Sequence, residues 1–347
     1  GGAEGVSNMG SSRTVWVSSG CIFNQLHEVW QVSDANSGQC LVILGTGGTI
    51  AGRAEQRNDN VGYAAGQVAV ADLAAGLPAL AGAAVELEQV AQIDSKDMTL
   101  AVWQTLVQRL VHHLARPEVG AVIVTHGTDT IEETAFLLQT LLQPAKPVVL
   151  ACAMRPASAI SPDGPQNLSD AVAVARHPGA QGVVLVCAGR VHGAIDVAKV
   201  HPYRTDPFSS GDAGPLAVVE EGVLRMFRPW PSGSAMPNAL GAFMAAQELP
   251  RVALLTSHAA ADAWTVQALM RARPGLDGIV VAGTGNGSLH TELQAALQAA
   301  EREGVRVVLA TRCGGRVVPY PAQPFPDRHG LSPVKARLAL SLELLGA

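Results

Sequence analysis

From residue 40 onward the chain alternates between short apolar runs and longer stretches of helical period. The runs CLVILGT (40–46), GAVIVTHG (120–127), KPVVLACA (146–153) and QGVVLVCAG (181–189) are rich in β-branched residues and lack polar alternation. The same holds for RVALLTS (251–257), DGIVVAGTG (277–285) and VRVVLATR (305–312). A strand with one wet face alternates, whereas one covered on both faces does not, so these runs predict buried strands of a parallel sheet. Between them, LAVWQTLVQRLVHHLA (100–115), TIEETAFLLQTLLQ (130–143) and HTELQAALQAAEREG (290–304) carry apolar residues at helical spacing. The last ends in a glycine, Gly304, where a helix stop is expected. Strand and helix in alternation predict an α/β architecture with right-handed crossovers.

The pattern breaks at RPWPSGSAMPNALGAFMAAQELP (228–250), where four prolines stand among Gly, Ser and Asn. This places a larger N-terminal α/β domain with a mainly parallel sheet over 40–228 and a linker over 229–250. A smaller C-terminal flavodoxin-like α/β domain then covers 251–347. Residues 1–39 are Gly- and Ser-rich, without the basic start and apolar stretch of a secretory leader. They are expected to be an extension or expression remnant outside the fold, with at most a short strand around Thr14–Val17.

Composition narrows the function classes. A chain of 347 residues accommodates about two domains at roughly 150 residues each. Hydrophobic residues at 48% against 15% charged predict sizeable cores and exclude general disorder. A net charge of −5 with no basic block argues against nucleic acid or an anionic membrane as partner. No run approaches the roughly 18 apolar residues of a membrane span. The five cysteines, Cys21, Cys40, Cys152, Cys187 and Cys313, are odd in number, irregularly spaced and without CxxC. They predict neither a disulfide framework nor a zinc site. Cys152 and Cys187 lie in apolar runs and are expected as buried thiols, which favours a cytoplasmic setting; a removed leader would make it periplasmic.

The glycine loop ILGTGGTIAGRA (43–54) invites two nucleotide readings, and both fail. A GxGxxG fingerprint starting at Gly45 ends on Ile50. A Walker pattern from Gly47 reaches Gly52 but continues with Arg53 and Ala54, where Lys and Ser/Thr hold phosphate and magnesium. The loop instead sets Thr46 and Thr49 at the carboxyl end of the first core strand, the edge where open α/β sheets bind ligands. The bland alternative is that both threonines only bond the turn. A second loop, VTHGTDTIEET (124–134), repeats the design. There Thr130 and Glu133 predict an S/T-x-x-E capping box, which leaves Thr128 and Asp129 unexplained at a helix start. A hydroxyl there is a candidate nucleophile or donor, and the carboxylate could accept bonds from a substrate ammonium.

Taken jointly and in this order, TGGTIAG (46–52) and THGTDTIEET (125–134) resemble the signatures of bacterial L-asparaginases. The resemblance is closest to the type II-like branch. It extends through AMRPASAISPDGPQNL (153–168), GTGNGSLH (283–290) and SPVKARLALSL (332–342), nearly the whole chain after residue 40.

The resemblance implies an amidohydrolase converting L-asparagine to L-aspartate and ammonia through an acyl-enzyme, with glutaminase as a side activity. It makes Thr49 the nucleophile and Tyr63, in GYAAGQV three residues before Gly66, its proton partner on a mobile loop. Thr128, Asp129 and the distant Lys199 form a second group. Substrate would be held by Gly48 in the glycine loop, Ser95 in DSKDM, Thr128 and Asp129, with the Ala153 carbonyl receiving the leaving nitrogen. Asn286 would reach a neighbouring subunit's site, although Asn-Gly is also a common turn. A homotetramer built of dimers is implied, and no metal or organic cofactor.

Three departures from the family pattern stand out. Lys96 follows Ser95 where Gln is common, Cys152 stands where Gly is common, and the segment after Arg316 is short and contains no glutamate. The family supplies a glutamate there to support the Thr–Tyr pair of an adjoining subunit; Asp327 is the candidate substitute. That gap keeps a second hypothesis open, a non-catalytic amino-acid-binding or sensor protein on the same scaffold.

Overall fold

The computed structural model of the protein describes residues 39–233, 236, 239–272, 274–328 and 330–346. Apart from Gln39, the expected extension, with its candidate strand at Thr14–Val17 and with Cys21, lies outside the described residues. The strands of the first half are β1 (Cys40–Gly47), β2 (Val85–Ile93), β3 (Val119–Thr125), β4 (Val148–Ala151), β5 (Val183–Cys187) and β6 (Arg190–Gly193). A small separate ladder of β7 (Ala198–Lys199) and β8 (Phe208–Ser209) follows, then β9 (Ala217–Glu220) and β10 (Val223–Met226). Eight of these form one sheet in the order β10-β9-β6-β5-β4-β3-β1-β2. The pairs among β1 to β5 are parallel, and β6, β9 and β10 add antiparallel at one edge.

Helices α1 (Val70–Ala74), α2 (Leu100–Leu114), α3 (Ile131–Leu142) and α4 (Gly164–Arg176) cover the sheet. Val42 and Leu44 of β1 join the core formed with α2 and α3, while Leu41 and Ile43 join the opposite core with α1 and α4. Burial on both faces is why the run shows no alternation. The antiparallel edge turns on two tight hairpins, Ala188–Gly189 and Glu221–Gly222, in which both central residues have positive φ. Their twist matches that of the flanking strands. Ala and Glu are unusual first residues for such turns, so neither hairpin is apparent in the sequence.

The second half holds β11 (Val252–Thr256), β12 (Gly278–Gly283) and β13 (Arg306–Thr311), a parallel sheet in that order. The expected linker, 229–250, carries a helix, α5 (Ala239–Ala245), whose Phe243 is fully buried. The Gln104 amide holds its end by donating to the carbonyls of Phe243 and Ala246, each at 2.9 Å. Helices α6 (Trp264–Arg271) and α7 (Thr291–Arg302) pack on one face of the small sheet. The other face is covered by α8 (Pro333–Leu345), which sends Ala336 and Leu340 into the small-sheet core and Leu338, Ala339 and Leu342 into the large-sheet core. A helix wedged between two cores is apolar on most sides, and α8 is.

Candidate active site

Strands β1 and β3 are neighbours, so the two glycine loops emerge side by side from one sheet edge. Thr46 Oγ1 donates to the Thr125 carbonyl at 2.9 Å, which ties the strand ends together. Thr46 is therefore structural, but it bonds the neighbouring strand β3 and not its own turn. Beyond it, Gly48 has φ 81°, and a Cβ there would lie 2.2 Å from Gly127 Cα and 2.3 Å from Gly127 N. The two backbones touch, which only paired glycines permit. Each of these glycines is followed by its threonine, Thr49 or Thr128, so the contact sets both hydroxyls at the same place in the fold.

Thr49 is buried, and its hydroxyl lies 2.6 Å from the Tyr63 hydroxyl. Tyr63 reaches it because the segment it occupies folds back. Arg53 and Ala64 exchange backbone bonds at 2.9 Å, Gly66 N donates to Gly48 O, and Gln67 N and Val68 N donate to Ala51 O. Burial pushes the phenol above its ordinary value near 10; the Thr49 bond opposes this, and the charges of Asp94 and Asp129 add to it. Tyr63 is therefore protonated at neutral pH.

The second group converges from three elements. Lys199 Nζ lies 2.8 Å from Thr128 Oγ1 and 2.6 Å from Asp129 Oδ1. An ammonium can only donate, so Thr128 oxygen accepts from it and the Thr128 O–H remains free to donate elsewhere. The Glu132 carboxylate accepts the Lys199 backbone N–H at 3.2 Å, and burial holds this carboxyl above its usual range. Ser95, 3% exposed, accepts the Asp129 backbone N–H at 3.2 Å. The predicted capping box is not made: Thr130 Oγ1 donates instead to Ser95 O at 2.7 Å, and Glu133 pairs with Arg337 of α8 at 3.1 Å. A cap is a local bond, and here two tertiary partners take both side chains away from it. Together these contacts lock the Ser95 turn onto the Thr128 loop.

Several further side chains support the site. His126 is fully buried with Nδ1 2.7 Å from Gly127 O and Nε2 2.9 Å from Thr134 Oγ1, which also accepts from Trp103 Nε1 at 2.9 Å. The Gly127 carbonyl only accepts, so Nδ1 carries the proton of the neutral ring. Asp163 accepts the backbone N–H groups of Met154 and Arg155, and Asn167 Nδ2 donates to Cys152 O at 2.9 Å. These bonds fix the strand end that bears Ala153, which is fully buried against Ile50. Both residues stand in the quoted 153–168 motif, where an Asp before Gly-Pro was the available signal.

Burial pushes His126 and His192 down to about 4. Between pH 6.5 and 4 the unfolded chain protonates these rings while the folded chain does not, so stability falls as pH falls. Each ring accounts for up to about 3 kcal/mol across that window. Urea midpoints measured at pH 7.5, 5.5 and 4.5 should decline steadily. A flat profile would refute buried neutral rings.

The remaining expected residues are placed as follows. Asn286 clamps its own chain, accepting Val318 N at 2.6 Å and donating to Val318 O at 2.9 Å. Asp327 accepts Gly330 N at 3.1 Å in a local turn. Lys96 is exposed and ion-paired with Asp94 and Asp97. Cys152 and Cys187 are buried free thiols, with Cys40 half-buried and Cys313 exposed. Among the described residues no group of three or more His, Cys, Asp or Glu side chains could hold a metal, and no helix is long and apolar enough to cross a membrane.

Residues 40–232 match the family described as Asparaginase, N-terminal, and 251–345 match the Glutaminase/Asparaginase C-terminal domain. The chain is similar to L-asparaginase 2 of Bacillus subtilis (strain 168), 35% identical over 310 residues covering 87% of this chain and 81% of that one. It is also similar to the glutaminase-asparaginase of Pseudomonas fluorescens biotype A, 34% identical over 314 residues covering 88% and 86%. Among solved structures, a probable cytoplasmic L-asparaginase from Campylobacter jejuni superposes with a TM-score of 0.82 at 34% identity, covering 89% of this chain and 96% of that one.

Proposed function

This chain is a member of the asparaginase family, and from that premise we propose that it hydrolyses the side-chain amide of L-asparagine to L-aspartate and ammonia. The observation that carries the reading is the convergence of two hydroxyl groups at one sheet edge: Thr49 on Tyr63 at 2.6 Å, and Thr128 on Lys199 at 2.8 Å. Asp129 and Ser95 sit where they can take the substrate α-ammonium and α-carboxylate, alongside the N–H groups of the Gly48 loop.

Thr49 Oγ attacks the amide carbon, and its proton passes to the Tyr63 oxygen as that phenol gives up its own towards the leaving nitrogen. A phenol held above its ordinary value works as such a relay, not as a free base. Ammonia departs past the Ala153 carbonyl. The free O–H of Thr128 donates to the developing oxyanion, a bond worth roughly 2.7–4 kcal/mol in other acyl-transfer enzymes. Water then attacks the Thr49 ester, its proton returns through the same groups, and aspartate leaves. L-Glutamine is the expected side substrate. Cytoplasmic location is the expectation that the buried free thiols support, with the periplasm as the alternative, and assembly as a homotetramer is expected.

The deciding assay is ammonia release from L-asparagine, L-glutamine and D-asparagine, compared as kcat/KM. L-Asparagine should lead, and Tyr63→Phe should lower kcat roughly 10²–10⁴-fold with little change in KM. A Tyr63→Phe enzyme with wild-type kcat would remove the relay. One observation favours a second reading, a binding or sensor protein: Asp327, the only acid in 317–332, is bonded in its own turn. Calorimetric binding of asparagine without any ammonia would select it.

A further inference from the structure

The SPVKARLALSL motif lies on α8, far along the chain from both threonine loops, yet its lysine is nearly inaccessible. Lys335 is 1% exposed, and its ammonium donates to three carbonyls: Ala194 O at 3.1 Å, Ile195 O at 2.9 Å and Val197 O. Three N–H bonds on three acceptors use the full donor capacity of the group. Those carbonyls line the turn between β6 and β7, and Lys199 is the second residue of β7.

Two residues further on α8, Arg337 pairs with Glu133 at 3.1 Å. Glu133 and the neighbouring Glu132 open α3, the helix that follows Thr128 and Asp129, and Glu132 takes the Lys199 backbone N–H. Thus α8 grips both halves of the Lys199–Thr128–Asp129 group, the turn that brings the lysine and the helix that brings its partners. Burial drives Lys335 down to about 8, opposed by the charges of Glu132, Asp196 and Glu133. Apolar residues often replace buried charges without loss of stability, so a buried ammonium here is better explained by what it orders than by what it stabilises.

We propose that Lys335 is a positioning residue, which gathers the 194–197 carbonyls so that Lys199 Nζ is held on Thr128 and Asp129. The proposal rests on the proposed function, with Lys199 as the donor to the Thr128 oxygen that leaves the Thr128 O–H free for the oxyanion, and its test separates the two.

Steady-state ammonia release is measured for wild type, Lys335→Met, Lys199→Met and the double variant. A reactive group displaced by about 1 Å loses on the order of 100-fold in rate, so Lys335→Met should lower kcat roughly 10- to 100-fold with KM little changed. Because Lys335 acts through Lys199, the double variant should be no slower than Lys199→Met alone. Independent losses that multiply, or a soluble Lys335→Met enzyme with wild-type kcat, overturn the proposal. If Lys199→Met itself keeps wild-type activity, the catalytic reading fails instead. Positioning is then judged by the acylation rate of Lys199 with a small amine-reactive reagent, read by peptide mass spectrometry. That rate should rise in Lys335→Met as Lys199 leaves its partners, and an unchanged rate overturns the proposal. Should Lys335→Met fail to fold, Glu132→Gln carries the same kinetic test. It keeps an acceptor for Lys199 N, removes the charge facing Lys335, and is expected to lower kcat without adding to Lys199→Met. Wild-type kcat in Glu132→Gln would count against the proposal.

Discussion

Replacing Thr49 by alanine should reduce kcat for ammonia release from L-asparagine by roughly 10⁴-fold or more, as loss of a nucleophile does in other acyl-transfer enzymes. The substitution removes one hydroxyl from a buried position and leaves Tyr63 without its 2.6 Å partner, so the fold should persist. Substrate binding should survive as well, because Ser95 and Asp129 are untouched. Thr128→Ala should be milder, on the order of 10²–10³-fold, the loss of a single oxyanion donor. Comparing the two by stopped assay and by calorimetric asparagine binding separates nucleophile from donor. Near-wild-type turnover in Thr49→Ala would end the acyl-enzyme mechanism, and the reverse ranking would exchange the roles of the two threonines.

Gly48→Ala is expected to be the most damaging single-methyl change to the site's architecture. Two penalties coincide there: positive φ, and a Cβ within 2.2–2.3 Å of the Gly127 backbone. Backbone cannot rotate aside as a side-chain tip can, so strand ends β1 and β3 must part. A loss of more than about 4 kcal/mol is expected, beyond the range of ordinary point substitutions. Gly76→Ala provides the control, since Gly76 has φ 72° but nothing within 4 Å of its Cβ position. It should lose only about 1–2 kcal/mol, the left-handed strain alone. Urea denaturation of both variants reads the difference. Equal losses would mean that Gly48 is needed for its φ and not for the contact with Gly127.

The core strands were legible because burial on both faces leaves a local mark, an unbroken apolar run. β2 was not, because VELEQVAQI is an edge strand with a mixed exposure pattern and no such run. The hairpins at Ala188–Gly189 and Glu221–Gly222 escaped because their positive φ falls on residues that do not advertise it. Helix α5 was hidden by the prolines before it, and Phe243 is buried by packing that no local pattern encodes. At the site, Thr49, Thr128 and Asp129 could be singled out from two short motifs. Their distinct fates could not: Thr46 and Thr49 share one loop, yet one bonds a neighbouring strand and the other a tyrosine. Thr130 looked like a cap and instead bonds the Ser95 turn.

The sequence by itself therefore determined the layered α/β plan and the two glycine loops, since periodicity and glycine requirements act within a few residues. Only the tertiary structure decided the company those loops keep. Lys199 lies 70 residues from Asp129 in the chain and 2.6 Å away in space. Lys335 lies 138 residues beyond Val197, whose carbonyl it holds. Such pairings depend on the parallel order of strands and on α8 fitting between two cores, and these are properties of the packed whole. Local chemistry supplied the reactive groups, and long-range packing brought them within bonding distance.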